Sequence, residues 1–136
     1  MADTFDLEIA TPERLVIHEA VSDAQIPAKE GYIGVLPGHA PLLSELGIGT
    51  LSYTVDRRVR TIIVSGGFVE VLPDAVRVLA TTAELPAEVD RARAEASLKR
   101  AQERLAAPAT AGVDVARALN AMKRAQARLY AAQQQR

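Results

Sequence analysis

The chain of 136 residues has no cysteine and only two histidines, His18 and His39. The missing cysteines exclude a disulfide framework, thiolate chemistry and a cysteine zinc site. Two histidines are too few for a multi-histidine metal centre, so no metal is expected. Aromatic residues make up 4% of a chain that is 49% hydrophobic, so its core must be aliphatic. No apolar run approaches the ~20 residues of a membrane helix, which predicts no direct membrane insertion. The opening "MADTFDLEIATPERL" has neither a basic leader nor an apolar signal core, and predicts a soluble, intracellular chain. The length suits one domain, or a compact domain with an appendage.

What is present is unevenly distributed. Residues 1–84 carry 12 acidic and 6 basic side chains, a net of −6, while residues 85–136 carry 5 acidic and 10 basic, a net of +5. Alanine fills 16 of the last 52 positions, where glycine nearly vanishes. Two modules therefore meet near Leu85-Pro86, one over residues 1–84 and one over 85–136.

The first module reads as strands. "TFDLEI" alternates, with Phe5, Leu7 and Ile9 on one face and Asp6 and Glu8 on the other. Short runs follow at "RLVIHEAV", "AQIP", "YIGVL", "GTLSYTV", "RTIIVS", "FVEVL" and "AVRVLA", separated by turn signals. Many short strands without an intervening helical pattern predict a β-sandwich or small barrel. Gly66-Gly67 is no phosphate loop, since no helix and no Gly-Lys-Ser/Thr follows. It predicts a bulge or a close backbone approach.

The second module reads as helices. Pro86 suits a first helical turn, with Glu88 and Asp90 near the positive end of the dipole. Ala94, Leu98, Ala101 and Leu105 form one apolar stripe, and Val115, Ala118, Leu119, Met122, Ala125 and Leu129 form another. Pro108 and Gly112 interrupt between them, and the second helix is expected from about Asp114. The fold class predicted is α+β: an N-terminal all-β sandwich followed by a C-terminal antiparallel two-helix hairpin. Alanine buries little area, so the hairpin should be the labile part.

"VLPGHAPLL", residues 35–43, sets Pro37, Gly38, His39 and Pro41 in an apolar run. Pro37 and Gly38 suit the second and third positions of a turn, and Pro41 holds Ala40 extended. His39 then has three readings: a catalytic group, a plain turn residue, or part of a stiff projection presenting Pro37, His39, Pro41 and Leu42 to a partner. The first needs a nucleophile or acid, and only Ser44 and Glu45 are near in sequence.

"GYIGVLPGHAPLL", with "SGGFVEV" some thirty residues on, resembles the epsilon subunits of bacterial F-type ATP synthases, as does the order of modules over the whole chain. The resemblance implies a non-catalytic rotor subunit, peripheral on the cytoplasmic face of the plasma membrane. It implies a sandwich bound to the gamma subunit and seated on the c-ring, through Tyr32, Pro37, Gly38, His39, Pro41 and Leu42. At the position of Tyr32 the family often has an acidic residue, a departure that touches any polar c-ring contact. The helices would lie on the sandwich, or extend along gamma and inhibit ATP hydrolysis. Extended, they would offer Arg117, Lys123, Arg124 and Arg128 to the alpha and beta catalytic subunits.

"VDRARA", residues 89–94, resembles the ATP-binding pattern of some epsilon subunits, with Val89, Asp90, Arg93 and Ala94 at its positions. Glu84, Arg100, Arg124 and Arg128 fill the matching positions around it. On spacing alone these arginines are either a solvated helix face or a guanidinium cluster suited to a polyphosphate. The resemblance implies the second, with ATP as a regulatory ligand and no obligatory cofactor. A free-standing ATP-binding sensor is the alternative. Nucleic acid is not expected as a partner, because the sandwich is acidic and the basic hairpin holds a single aromatic, Tyr130.

Overall fold

A computed structural model describes residues 3–134. The alternation of the first strand, β1 (Phe5–Ala10), is realised directly: Phe5, Leu7 and Ile9 are buried and Asp6 is exposed. It pairs antiparallel with β2 (Leu15–Val21) and parallel with the last strand, β8 (Ala75–Glu84). Between them run β3 (Asp23–Ala28), β4 (Gly31–Val35), β5 (Leu42–Glu45), β6 (Ile48–Val55) and β7 (Arg58–Val71). The order in the sheet is β2-β1-β8-β7-β6-β3-β4, with β5 on the free half of β7.

The long β7 makes a sandwich out of this one sheet. "RTIIVS" and "FVEVL", expected as two strands, are a single strand joined through Gly66 and Gly67. Both glycines have positive φ, +71° and +110°, and a Cβ on Gly67 would run into the Leu79 carbonyl oxygen. The expected close backbone approach is therefore real. Before the bend β7 pairs with β6, after it with β5, and β8 follows both halves. Two layers result, and an aliphatic core that includes Leu7, Ile9, Ile26, Leu51, Ile62 and Val69 fills the space between them.

The second module departs from expectation at its start. Pro86 opens a separate 3₁₀ turn, Pro86–Glu88, and not the helix. The Glu88 carboxylate accepts the Leu85 backbone N–H at 2.9 Å, which supports the turn, but Val89 leaves the helical region (φ −74°, ψ 125°) and Asp90 caps a new start, so helix α1 begins only at Arg91 and runs to Ala106. After the turn at Gly112 (φ +70°), α2 runs Val115–Gln134, with the Asp114 carboxylate accepting the Arg117 N–H at 3.1 Å as an N-cap. Ala94, Ala101, Ala118 and Ala125 are buried along the predicted stripes. Val115 and Leu119, expected in the second stripe, are instead 61% and 37% exposed, in the first two turns of α2. A further face of α2 is also buried: Ala127 and Ala131 pack on Ile63 of β7, with Val89 beside them. Hence α2 lies on the outer surface of the β6–β7 layer, and α1 packs on α2.

Candidate functional site

The Pro-Gly turn is built from backbone bonds. Gly38, at φ +82°, donates its N–H to the Pro73 carbonyl at 2.9 Å, and the His39 N–H donates to Leu36 O at 3.1 Å. His39 Nδ1 lies 2.7 Å from the carbonyl of Ala40, which only accepts, so Nδ1 carries the proton and braces the turn. Ser44 Oγ donates to its neighbour's carbonyl, Glu45 O. Glu45 pairs with Lys29 at 3.0 Å, and that contact raises the lysine pKa. Pro41 and Leu42 are exposed. Tyr32 does not join this turn. It sits on β4, with its hydroxyl over Gly49, where an added Cβ would stand 2.9 Å from it.

Beside the turn lies an exposed apolar face. Strand register sets Leu15 opposite Ala10, Ala10 opposite Leu79, and Leu79 opposite Phe68, in one row across the outer surface of the layer formed by β2, β1, β8 and the second half of β7. Leu15, Leu79 and Phe68 are 56%, 58% and 54% exposed, and Leu43, diagonal to Phe68 on β5, is 71% exposed. The adjacent row is His18, Glu8, Arg77 and Glu70, with Arg77 and Glu70 paired at 3.8 Å. Sequence reasoning passed over this face. Its signal is parity: Phe68 and Leu79 occupy the same side of their strands as Glu70 and Arg77. Contiguous apolar surface of this kind marks a contact site.

The arginines are placed on the hairpin as follows. Arg93 and Arg100 are exposed on α1, with Arg100 donating to Ser97 Oγ at 3.1 Å. Arg124 and Arg128 are half-buried on α2. Arg128 Nε donates to Glu84 Oε1 at 2.6 Å, which brings two of the expected residues together across the module boundary. Among the described residues Arg93, Arg100 and Arg124 have no carboxylate partner. The Asp90 carboxylate accepts the Arg93 backbone N–H at 3.1 Å and so caps α1, with Ala94 buried behind it. Val89 packs near Ile63. A second cross-module pair, Arg14 with Glu88 at 3.0 Å, fastens the 3₁₀ turn. The Leu85 amide first, and then Arg14, hold the Glu88 pKa below the usual carboxylate range.

Between α2 and the sheet lies a cleft of about 1030 Å³, lined by Tyr32, Glu19, Arg60, Lys123 and Tyr130 among others. None of the four arginines above lines it. Burial, and then the nearby Glu19 carboxylate, raise the pKa of Tyr53 in its wall. Among the described residues no group of three His, Cys, Asp or Glu side chains is placed to hold a metal, and no helix is long and apolar enough to cross a membrane.

Known proteins resemble the chain along nearly all of its length. Residues 4–86 match the family model for the beta-sandwich domain of the ATP synthase Delta/Epsilon chain, and residues 87–133 match that for its long alpha-helix domain. The ATP synthase epsilon chain of Solibacter usitatus (strain Ellin6076) is 57% identical over 109 residues, 80% of this chain and 81% of that one. The epsilon chain of Koribacter versatilis (strain Ellin345) is 52% identical over 105 residues, 77% and 74% of the two chains. In solved structures, a chain of the Euglena gracilis mitochondrial ATP synthase OSCP/F1/c-ring assembly superposes with a TM-score of 0.82 at 23% identity, covering 98% of this chain and 83% of that one. At that identity the likeness shows the fold.

Proposed function

The chain belongs to the epsilon-chain family of F-type ATP synthases, non-catalytic subunits of that complex, and on that premise we propose that it couples the gamma subunit to a proton-carrying c-ring within the rotor and that its hairpin regulates ATP hydrolysis. It would then sit peripherally on the cytoplasmic face of the plasma membrane. The observation that carries the coupling role is the exposed row of Leu15, Leu79 and Phe68, continued by Leu43 into the turn of Pro37, Gly38, His39, Pro41 and Leu42. This face is opposite the one that α2 covers. It suits gamma, and the adjacent rigid turn suits the c-ring. Tyr32, over Gly49 in the cleft wall and 59% exposed, is open to a partner at the side of the sandwich.

Regulation follows from how lightly α2 is held. Against the sheet, Ala127 and Ala131 meet Ile63 with Val89 beside them, Thr50 Oγ1 donates to the Ala127 carbonyl at 3.5 Å, and one ion pair, Arg128 with Glu84, crosses from α2. Undocked, α2 would offer Arg117, Lys123, Arg124 and Arg128 to the alpha and beta subunits. ATP favours the docked hairpin through Arg93, Arg100, Arg124 and Arg128, by binding that state better than the extended one. Three of those arginines lack a carboxylate partner among the described residues, which leaves their guanidinium groups available to a polyphosphate. Glu84, which already holds Arg128, orients it for the phosphates, while Asp90 and Val89 fix the first turn of α1 around Arg93 and Ala94.

Phe68→Glu tests the coupling role. The variant should remain folded, since Phe68 is outside the core, and should fail to co-purify with gamma on coexpression. Undiminished co-purification would refute the assignment of this face. Calorimetric titration of the isolated protein tests the nucleotide role: ATP should bind, and Arg93→Ala should bind it roughly tenfold more weakly, as expected for one lost hydrogen bond to a charged group. No heat at millimolar ATP would refute it.

A further inference from the structure

The cleft under α2 has a chemistry that neither the rotor surfaces nor the arginine set uses. At about 1030 Å³ it stands at the upper end of the ~300–1,000 Å³ typical of small-molecule sites. Both modules build it: Tyr32, Ile48, Glu19 and Arg60 come from the sandwich, and Lys123 and Tyr130 from α2. Arg60 Nη1 donates to Glu19 Oε1 at 3.2 Å. The other carboxylate oxygen, Glu19 Oε2, is shut away from solvent and, among the described residues, has no donor in hydrogen-bond geometry, although the Tyr53 hydroxyl is close enough for the carboxylate to raise its pKa. A buried acceptor without a donor is uncommon in folded proteins and asks for an explanation. The last torsion of a glutamate is soft, so a modest rotation turns Oε2 to the cleft. Arg60 meanwhile keeps N–H donors beyond the one it uses.

The charges narrow the ligand. Glu19, Arg60 and Lys123 sum to one positive charge, which disfavours a cation. A carboxylate would set oxygen against Glu19 Oε2, where only a donor is wanted. An adjacent neutral donor and acceptor satisfy both groups, and the tyrosines offer apolar faces to a ring.

We propose that this cleft binds a small, neutral aromatic molecule with a primary carboxamide edge, its N–H on Glu19 Oε2, its carbonyl on Arg60, and its ring against Tyr32 and Tyr130. The cleft exists only while α2 lies on the sheet, so such a ligand opposes release of the hairpin. That consequence alone rests on the regulatory reading given above. Binding does not.

Benzamide is the probe. Titrated at millimolar concentration into the ¹⁵N-labelled full chain, it should shift the amides of Glu19, Arg60, Lys123 and Tyr130, with benzoate weaker. Glu19→Gln should weaken benzamide about tenfold, the loss of one hydrogen bond to a charged group. It should also turn the preference toward benzoate, because the new amide donates. Tyr130→Ala, at a side chain 54% exposed and dispensable to the fold, should weaken both probes. Absence of shifts at these residues, equal binding of benzoate and benzamide, or indifference to both variants would overturn the site. Hydrogen exchange of α2 reads the consequence: benzamide should slow it. Binding without slowing would overturn the link to the hairpin while the site stands.

Discussion

Arg128→Ala should loosen α2 from the sheet without unfolding either module. The Arg128–Glu84 pair is 2.6 Å long, with side chains 33% and 30% exposed. A fully exposed pair contributes ~0.2–1 kcal/mol, and cutting a fully buried one costs ~3–5 kcal/mol. At one-third exposure about 1–2 kcal/mol is the reasonable range. The apolar part of the same contact is larger: Ile63, 4% exposed in this cluster, contributes ~1.5–3 kcal/mol, and the methyls of Ala127 and Ala131 add ~0.8 kcal/mol each. Losing the pair should therefore shift the docking equilibrium by roughly fivefold to thirtyfold. Hydrogen exchange of α2 amides measures it, and Glu84→Ala completes a double-mutant cycle. The sandwich core, which contains neither residue, should keep its protection. Wild-type protection of α2 in both variants, or a coupling below ~0.3 kcal/mol, would refute the latch. The cycle also separates docking from nucleotide binding: Arg128→Ala should impair both, whereas Glu84→Ala should cost ATP less than it costs docking.

Gly67→Ala should destabilise the sandwich by at least ~1–3 kcal/mol from backbone strain alone, with the collision at Leu79 O added, and urea unfolding should show it. Near-wild-type stability would mean that β7 bends elsewhere. Gly38→Ala meets open space and carries only the cost of its positive φ, ~1–2 kcal/mol, so it should be the milder of the two. Glu88 should titrate below the ordinary glutamate range in carboxyl NMR, and Arg14→Ala should return only part of the shift, because the Leu85 amide remains. A depressed folded pKa means that this group's contribution is fully present above the unfolded value and is lost as pH falls through the folded one. The junction should therefore loosen in acid, and Glu88→Gln should abolish that dependence. Leu42→Asp should leave the isolated protein folded and weaken coupling of proton pumping to hydrolysis in the assembled synthase. Normal pumping would show that the turn faces solvent there.

Much of the fold was legible where one rule acted alone. Alternation gave β1, and the shift in charge and alanine content marked where strands give way to helices. Where rules competed, the reading stopped. β5 has four residues between Pro41 and Gly47, too few to display a period. In β7 the buried positions change parity across the glycines, from Ile62 and Val64 to Val69 and Val71. Alternation read over that stretch therefore yields two strands. Pro86 obeyed its preference for a first turn, but the backbone turns extended at Val89 and ends that turn at once. The second buried face of α2 was hidden because Ala127 and Ala131 look like any other alanines in an alanine-rich helix. Of the candidate site, the turn and the Glu84–Arg128 pair sit in recognisable stretches. The cleft joins Glu19, Arg60 and Lys123 from three distant parts of the chain, and no local pattern connects them.

On the proposed reading, the bend in β7 would let one small chain hold a partner and a movable hairpin together. Ile63, under α2, and Phe68, on the opposite outer face, are five positions apart on one strand. A continuous strand, and not a loop, links the two surfaces, so a partner seated on Phe68 fixes the frame from which α2 departs. The alanine seam then sets the scale of that departure. A ligand shifts a two-state equilibrium only by its differential affinity, typically ~1–3 kcal/mol of coupling. Larger side chains at positions 127 and 131, which are 8% and 0% exposed against Ile63, would overpack the seam and push α2 from the sheet. On the regulatory reading proposed above, small alanine contacts over Ile63 and a one-third-exposed ion pair would hold α2 within the range that a bound nucleotide could shift.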